Sequence, residues 1–472
     1  MKQTNKPNII IFLVDAMRAQ SVSCYGFHLK TTPNIDKLAR EGIRFENAFT
    51  SINTTDASIT SIMTGKHPTR HGIHNQAEKV TKTEISTFFA RKNQMLQSIL
   101  KEQSYHTFGL DWLGRWHKTG YDYYLKITEI KEKKMFFQNL EKMLSKIKPL
   151  HKLMVRLYFS EKLNWLTNKF KPYSDGLELA KKAESIIKNN KNHPFFMFIH
   201  FWDTHAPYNC SSALQKKFFE KNQPFIPMKH LINQLKDKEV RSFYEALTGY
   251  QNDARQVIAR YHASINYCDE MIGRITTSLR QKKILDNTII FITADHGESL
   301  VEHNILFDHH GLYEQNLKIP LIIRYPKLGK GKVVKNLAMN LDITPTVIDI
   351  LGIRKRFDKD NGKSLVKLMQ GKEKRKYVFA EENYLQKKRC IRSERYKYIF
   401  PQKGFRKCKR CGYVHGEVEE LYDLKKDPKE VKNIVKKNPA VAKALRKEAG
   451  KFFKEDINEK EKIVFVVDEI RI

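Results

Sequence analysis

The chain has 472 residues, 41% hydrophobic and 11% aromatic, which suits a folded protein of two or three domains and excludes collagen-like or wholly disordered classes. Lys and Arg outnumber Asp and Glu by 86 to 52, a net charge of +34, so an anionic substrate, a polyanion or an anionic membrane surface is favoured over neutral partners. The plainer reading of that charge is a lysine-rich, well-solvated surface.

The first apolar run, "IIIFLV" (Ile9–Val14), is bounded by Pro7 and Asp15 and predicts a strand buried on both faces of a mainly parallel sheet. It is short for a signal-peptide core, and no run reaches the ~18 apolar residues of a membrane-spanning helix. The chain therefore reads as cytoplasmic, with membrane association left open. "NIDKLAREG" predicts a helix stopped by Gly42, "IRFENAFT" a strand, "MLQSILKEQSY" a helix and "HTFGL" a strand. From Glu129 to Asn192 the chain is basic, helical and broken at Pro149. That segment reads as an amphipathic layer on the sheet, or as a lid presenting a lipid-linked or polyanionic substrate through Phe136, Leu144, Leu153 and Leu157.

"FFMFIHFW" (Phe195–Trp202) and "NTIIFITADHG" predict two more buried strands, separated by a long amphipathic helix; "IPLIIRYP" and the helix "DITPTVIDILG" follow. From about Glu373 short strands take over: "KYVFAEE", "RCIRSERYKYIF" and "EVEELYDL", then a helix (Pro439–Phe452) and a final strand, "KIVFVVDEI". The expected fold is α/β, a mainly parallel central sheet flanked by helices over residues 1–372, with 129–192 as a basic helical insertion. A smaller antiparallel α+β subdomain is expected over residues 373–472. Six cysteines are too few for a disulfide scaffold. Cys408 and Cys411, followed by His415, make half a zinc ribbon with no second pair, read as a reduced hairpin tip or a weak metal knuckle.

In open α/β sheets, ligands bind beyond the carboxyl ends of the strands. Asp15, Asp203 with His205, and Asp295 with His296 each follow a predicted strand, and Thr55 follows "IRFENAFT" just before a short helix. One such acid alone is most simply a helix cap, and Thr55 itself reads as either a cap or a nucleophile. Together Asp15, Asp295, His296 and the Thr55 hydroxyl supply an O3N set for one divalent metal: Zn, Mn or Ca, with the imidazole favouring Zn or Mn. Such a metal would acidify the Thr55 hydroxyl for in-line attack. The helix N-terminus would receive an anion. Arg115, His117, His205 and His310 would bind its other oxygens and protonate the leaving group. His71 and His200 read as structural histidines, His303 and His309 stand behind His310, and Asp308 orients a histidine or caps a turn.

These residues lie in long blocks that resemble, in order, the sulfatase family of the alkaline phosphatase superfamily. "PNIIIFLVDAMR" is similar to its opening strand and metal aspartate. "CYGFHLKTTPNIDKLAREGIRFENAFT" and "MTGKHPTRHGI" resemble the blocks around the nucleophile. "LGRWHKTGYDYY" resembles the block that places Arg115 and His117 at the substrate anion, and "DTHAPY" carries His205. "FITADHGE" resembles the second metal pair, "DHHGLYEQNLKIPLIIRYP" carries His310, and "ELYDLKKDPKEVKN" is similar to the C-terminal signature. The resemblance implies an alkaline phosphatase-like fold, a bound divalent metal and an anionic ester substrate, glycan- or lipid-linked, with no specific nucleic acid.

The chain also departs from that pattern. Where sulfatases carry Cys or Ser in C/S-x-P-x-R, this chain reads Thr55, Asp56, Ala57, Ser58, Ile59, and the second aspartate after Asp15 is Ala16. This argues against formylglycine maturation and brings the chain closer to the family's phosphoglycerol and phosphoethanolamine transferases, which use an unmodified Thr. A formylglycine hydrate releases sulfate by elimination from a geminal diol. A plain Thr ester must be resolved by a second displacement, which is routine for phosphoryl groups. The leading expectation is a metal-dependent hydrolase cleaving a sulfate or phosphate ester through Thr55. The alternatives are a phospho-group transferase acting on a glycan or lipid carrier, and an inactive anion-binding homologue.

Overall fold

The structure, a computed structural model, describes residues 6–125, 175–190, 193–208, 210–355, 357, 361–408 and 412–454. Most of the basic segment read over 129–192, the final strand "KIVFVVDEI" and Cys411 lie outside the described residues. Within that segment the described part is the helix Gly176–Asn189, capped by the Asp175 carboxylate on Leu177 N.

Eight strands form the central sheet: β1 (Asn8–Val14), β2 (Ile43–Phe49), β3 (His106–Leu110), β4 (Tyr123–Tyr124), β5 (Phe195–Phe201), β6 (Thr288–Thr293), β7 (Lys318–Arg324) and β8 (Lys332–Met339). Their order is β4-β3-β5-β1-β6-β7-β2-β8. β7 runs antiparallel to both its neighbours, and the other pairings are parallel. β1 lies between β5 and β6, and all seven of its residues are buried. That double-sided burial is why its sequence is a continuous apolar run rather than an alternating one. Each of its large side chains contributes on the order of 1.5–3 kcal/mol by leaving water, which fixes the strand at the centre. β8 was not foreseen. It lies at the sheet's edge, and its first half, with Lys332, Val333 and Lys335 exposed, breaks the apolar pattern that marks the others.

Helices flank the sheet. The helix Ala254–Gln281 packs against both Gly176–Asn189 and α1 (Pro33–Arg40). α2 (Thr55–Thr64) is buried along all ten residues and packs against the helix Ile343–Ile350. Its end is set by Gly65, at a φ of 66°, whose N–H bonds to Ser61 O. Among the described residues no helix is long and apolar enough to cross a membrane.

A second sheet, antiparallel throughout, is built from β9 (Val378–Glu382), β10 (Lys388–Arg392), β11 (Tyr396–Pro401) and β12 (Glu420–Asp423), in the order β12-β11-β10-β9. The helix Pro439–Phe453 covers it, burying Leu445 and Phe453 with Ile391, Tyr398 and Phe400. The two sheets are joined where Glu381 N, on β9, donates to Ser51 O at 3.1 Å, just after β2.

Candidate active site

The strand register builds the site. Leu13 on β1 pairs with Thr293 on β6, so Asp15 and Asp295, each two residues further on, emerge side by side. Asp15 N donates to Phe201 O at 2.9 Å, and Thr204 Oγ1 donates to Asp15 O at 2.5 Å, which locks that strand end to the segment after β5. Asp295 Oδ1 accepts from Ala16 N at 3.1 Å and from His296 N at 2.8 Å. Ala16 holds a left-handed φ of 53°, a conformation that costs an alanine on the order of 1 kcal/mol and turns the chain sharply at the strand end.

α2 brings the hydroxyl. Thr54, in extended conformation, takes the N-cap position, and Thr55 is the first helical residue. Ser58, one turn on, donates to Asp295 O at 2.7 Å and seats the helix on the end of β6. Thr55 Oγ1 then lies 3.3 Å from His296 Nε2. The other ring nitrogen, His296 Nδ1, donates to Gly297 O at 2.9 Å, which turns Nε2 to the hydroxyl and to Asp295 Oδ2, 3.2 Å away.

Asp15 and Asp295 are fully buried. Neither oxygen of Asp15, nor Asp295 Oδ2, accepts a hydrogen bond among the described residues. Burial and the adjacent Asp15 carboxylate push the Asp295 carboxyl above its usual range. Asp15, His200 and Asp295 each offer a ligand atom within 4.8 Å of the others. Two buried carboxylates with three orphaned oxygens, ringed by imidazoles, are the surroundings a divalent cation satisfies and an apolar core does not.

His200 belongs to this group, although its place within a strand reads as core. Its Nε2 lies 3.5 Å from Asp15 Oδ2 and its Nδ1 2.9 Å from Asp111 Oδ1. Burial opposes a charge on this ring, but Asp111 and Asp15 prevail and raise it to about 9. Asp111 also accepts from Tyr124 Oη at 2.6 Å and Trp112 N at 2.8 Å. Asp111 directly follows β3, so the strand-end rule that singles out Asp15 could have found it.

The histidines beyond β5 and β6 divide into two groups. His205 turns its Nδ1 to Ala206 O at 2.8 Å, with its ring 6.5 Å from that of His309. His309 stacks on His296 at 4.2 Å and donates from Nδ1 to Asn53 O at 2.5 Å. Burial and the neighbouring His296 lower His309 to about 3, so it is neutral at ordinary pH. His310 is not brought into this group. Its Nε2 meets His415 Nε2 at 2.9 Å, on the side of the C-terminal sheet. "DHHG" offers two adjacent imidazoles, and only the path of the loop decides which one reaches His296.

Arg115 and His117 converge on Asp56, the residue after Thr55. Arg115 Nη2 lies 2.5 Å from both Asp56 oxygens, and His117 Nε2 lies 3.0 Å from Oδ1. Burial opposes the Asp56 charge, yet His117 and Arg115 hold it below the usual carboxylate range. Asp203, the remaining strand-end acid, faces Gly176 at the start of the helix Gly176–Asn189.

Two family models match the chain. The one described as Sulfatase covers residues 7–353, and the one described as N-sulphoglucosamine sulphohydrolase, C-terminal, covers residues 301–455. An N-acetylglucosamine-6-O-sulfatase of Bacteroides thetaiotaomicron is 25% identical, over 99% of this chain and 90% of that protein. An arylsulfatase of Clostridium perfringens is 26% identical, over 91% of this chain and 90% of that one. Among solved structures, one in complex with its substrate D-glucosamine-2-N,6-O-disulfate superposes with a TM-score of 0.70 at 23% identity, covering 97% of this chain and 100% of that one. The phosphonate monoester hydrolase of Agrobacterium radiobacter superposes with a TM-score of 0.68 at 17% identity, covering 95% of each chain. The last two likenesses are of fold.

Proposed function

Because the chain belongs to the sulfatase family, we propose that it hydrolyses an anionic ester of a sugar-like alcohol with Thr55 as the nucleophile. The observation that carries this reading is the position of Thr55 Oγ1. It stands at a helix N-terminus, 3.3 Å from His296 Nε2, which itself lies 3.2 Å from the Asp295 carboxylate. The sugar-like alcohol is suggested by relatives whose names specify glucosamine sulfates.

Asp15, Asp295 and His296, with His200 beside them, fit a divalent metal; carboxylates mixed with imidazoles suit Mn or Zn better than Ca. Bound there, such a metal would supply Lewis acidity to the reaction. The first N–H groups of α2 receive the remaining anionic oxygens. Arg115 and His117, held in place by Asp56, edge the anion's position. Thr55 gives up its hydroxyl proton to solvent and Oγ1 attacks the phosphorus or sulfur, the bond to the alcohol oxygen breaks, and His205, through Nε2, supplies the proton that the alcohol takes away. Water then displaces the Thr55 ester and restores the hydroxyl.

The second displacement makes phosphate esters the better substrates of this nucleophile. Matched 4-nitrophenyl phosphate and sulfate esters test the reading, with mass spectrometry of the Thr55 peptide after brief turnover. We expect faster turnover of the phosphate, a covalent adduct on Thr55, and loss of at least a thousandfold in kcat for Thr55→Ala. Undiminished activity in Thr55→Ala would sink the proposal. A product in which added glycerol carries the phospho group would convert the reading from hydrolase to transferase.

A further inference from the structure

We propose that His310, Cys408 and His415 form a second metal site, separate from the one at Asp15 and Asp295, and that it takes zinc. The three side chains come from two distant segments, the loop before β7 and the turn between β11 and β12. All three are buried, and each offers a ligand atom within 4.8 Å of the other two. The two imidazoles approach through Nε2 at 2.9 Å. A tetrahedral zinc, with bonds of about 2.0–2.1 Å to nitrogen, spaces two such atoms by about 3.3 Å, so the pair need open by only a few tenths of an ångström.

The surroundings are those of a metal centre. Asp308 Oδ1 lies 3.3 Å from His310 Nδ1, the carboxylate–imidazole arrangement that fixes the tautomer and turns Nε2 to a metal. Cys408 is held by a tight turn: its N–H donates to Tyr413 O at 2.7 Å, and its carbonyl accepts from Gly412 N at 2.9 Å. Gly412 has a φ of 78°, which permits that turn. The buried Lys388 ammonium donates to His415 O at 2.9 Å and Glu417 O at 2.7 Å, and pairs with Glu420 at 2.7 Å. The backbone carrying His415 is thus anchored independently of its ring. A thiolate with two imidazoles is a soft-to-borderline donor set, which selects Zn over Mg, Ca or Mn.

The consequence is a cross-link. The ion would tie the segment carrying His309, which stacks on His296, to the C-terminal sheet. The alternative is a metal-free cluster in which the imidazoles share one proton.

Metal analysis of the full chain, purified without a histidine tag or chelator, separates the two. We expect zinc at about one equivalent per chain that Cys408→Ser and His415→Gln each remove, while Asp15→Asn leaves it in place. Reconstitution with Co(II) should give a thiolate-to-metal charge-transfer band in the wild type and in Asp15→Asn, absent in Cys408→Ser. Circular dichroism of both variants guards against simple misfolding. A folded wild type that binds neither zinc nor Co(II) through a thiolate overturns the proposal, whatever becomes of the catalytic reading; so does a zinc content that neither Cys408→Ser nor His415→Gln lowers.

Discussion

Asp111 touches none of the atoms that would react, yet it decides what His200 can do. Its carboxylate lies 2.9 Å from Nδ1 and leaves Nε2 turned toward Asp15. Such outer partners of a ligand histidine alter metal affinity by about 10–100-fold. Asp111→Asn keeps the shape and removes the charge. We expect it to need roughly that much more metal for half-maximal activity, with kcat at saturating metal largely retained. An unchanged metal titration would remove His200 from the site. The contrast between Asp111 and His309 shows what a sequence can carry at this scale. An acid directly after an apolar strand has a signal, because strand ends in such sheets face the ligand. The choice between His309 and His310 has none, since adjacent residues in a loop differ only in where the backbone points them.

The element that matters most is the excursion between β6 and β7. It delivers Asp295 and His296 at its start and His309 in its middle, and returns as a reversed strand. Its close fold rests on Gly297, whose N–H donates to Asn316 O at 2.8 Å. A Cβ at this glycine would stand 1.9 Å from Gln315 O, a backbone atom that cannot swing aside. Gly297→Ala should therefore displace the His296 carbonyl and ring, costing about 1–3 kcal/mol in stability and most of the activity. Thermal unfolding and kinetics of that variant check it, and wild-type values in both would show that the excursion is compliant. The buried strands were legible because burial on both faces leaves a continuous apolar run. β8 was not, because an edge strand exposes Lys332, Val333 and Lys335 and loses that run. Nor did any local pattern announce that β7 is reversed: strand direction is set by the path of the connection, not by composition.

At the scale of the molecule, the joint between the two sheets includes a buried carboxylate, Glu381 on β9. Glu381 accepts from His74 Nδ1 at 2.6 Å and from Asn383 Nδ2 at 2.9 Å, and its backbone carries the bridge to Ser51. Burial opposes this charge, but His74 and its neighbours hold the carboxyl down at about 2, against an ordinary 4.5. A carboxyl depressed on folding stabilises the protein above its unfolded value and loses that contribution as pH falls toward its folded one. We expect stability to drop by on the order of 3 kcal/mol between about pH 4.5 and 2 through this group alone. Denaturant unfolding of Glu381→Gln should show a flatter pH dependence over that window, and an unaltered slope would refute the assignment.

The central place of β1 has a consequence in time. On the ribosome this apolar strand is made before the seven other strands of its sheet, but its partners are β5, ending at Phe201, and β6, ending at Thr293. At about 5–20 residues per second, roughly 15 to 60 seconds pass before β6 has been made. Throughout that interval Ile9–Val14 lacks its neighbour on the β6 side, even once β5 is made, and that open edge must be shielded by transient collapse or by a chaperone. Asp15 and Asp295 meet only once that wait is over.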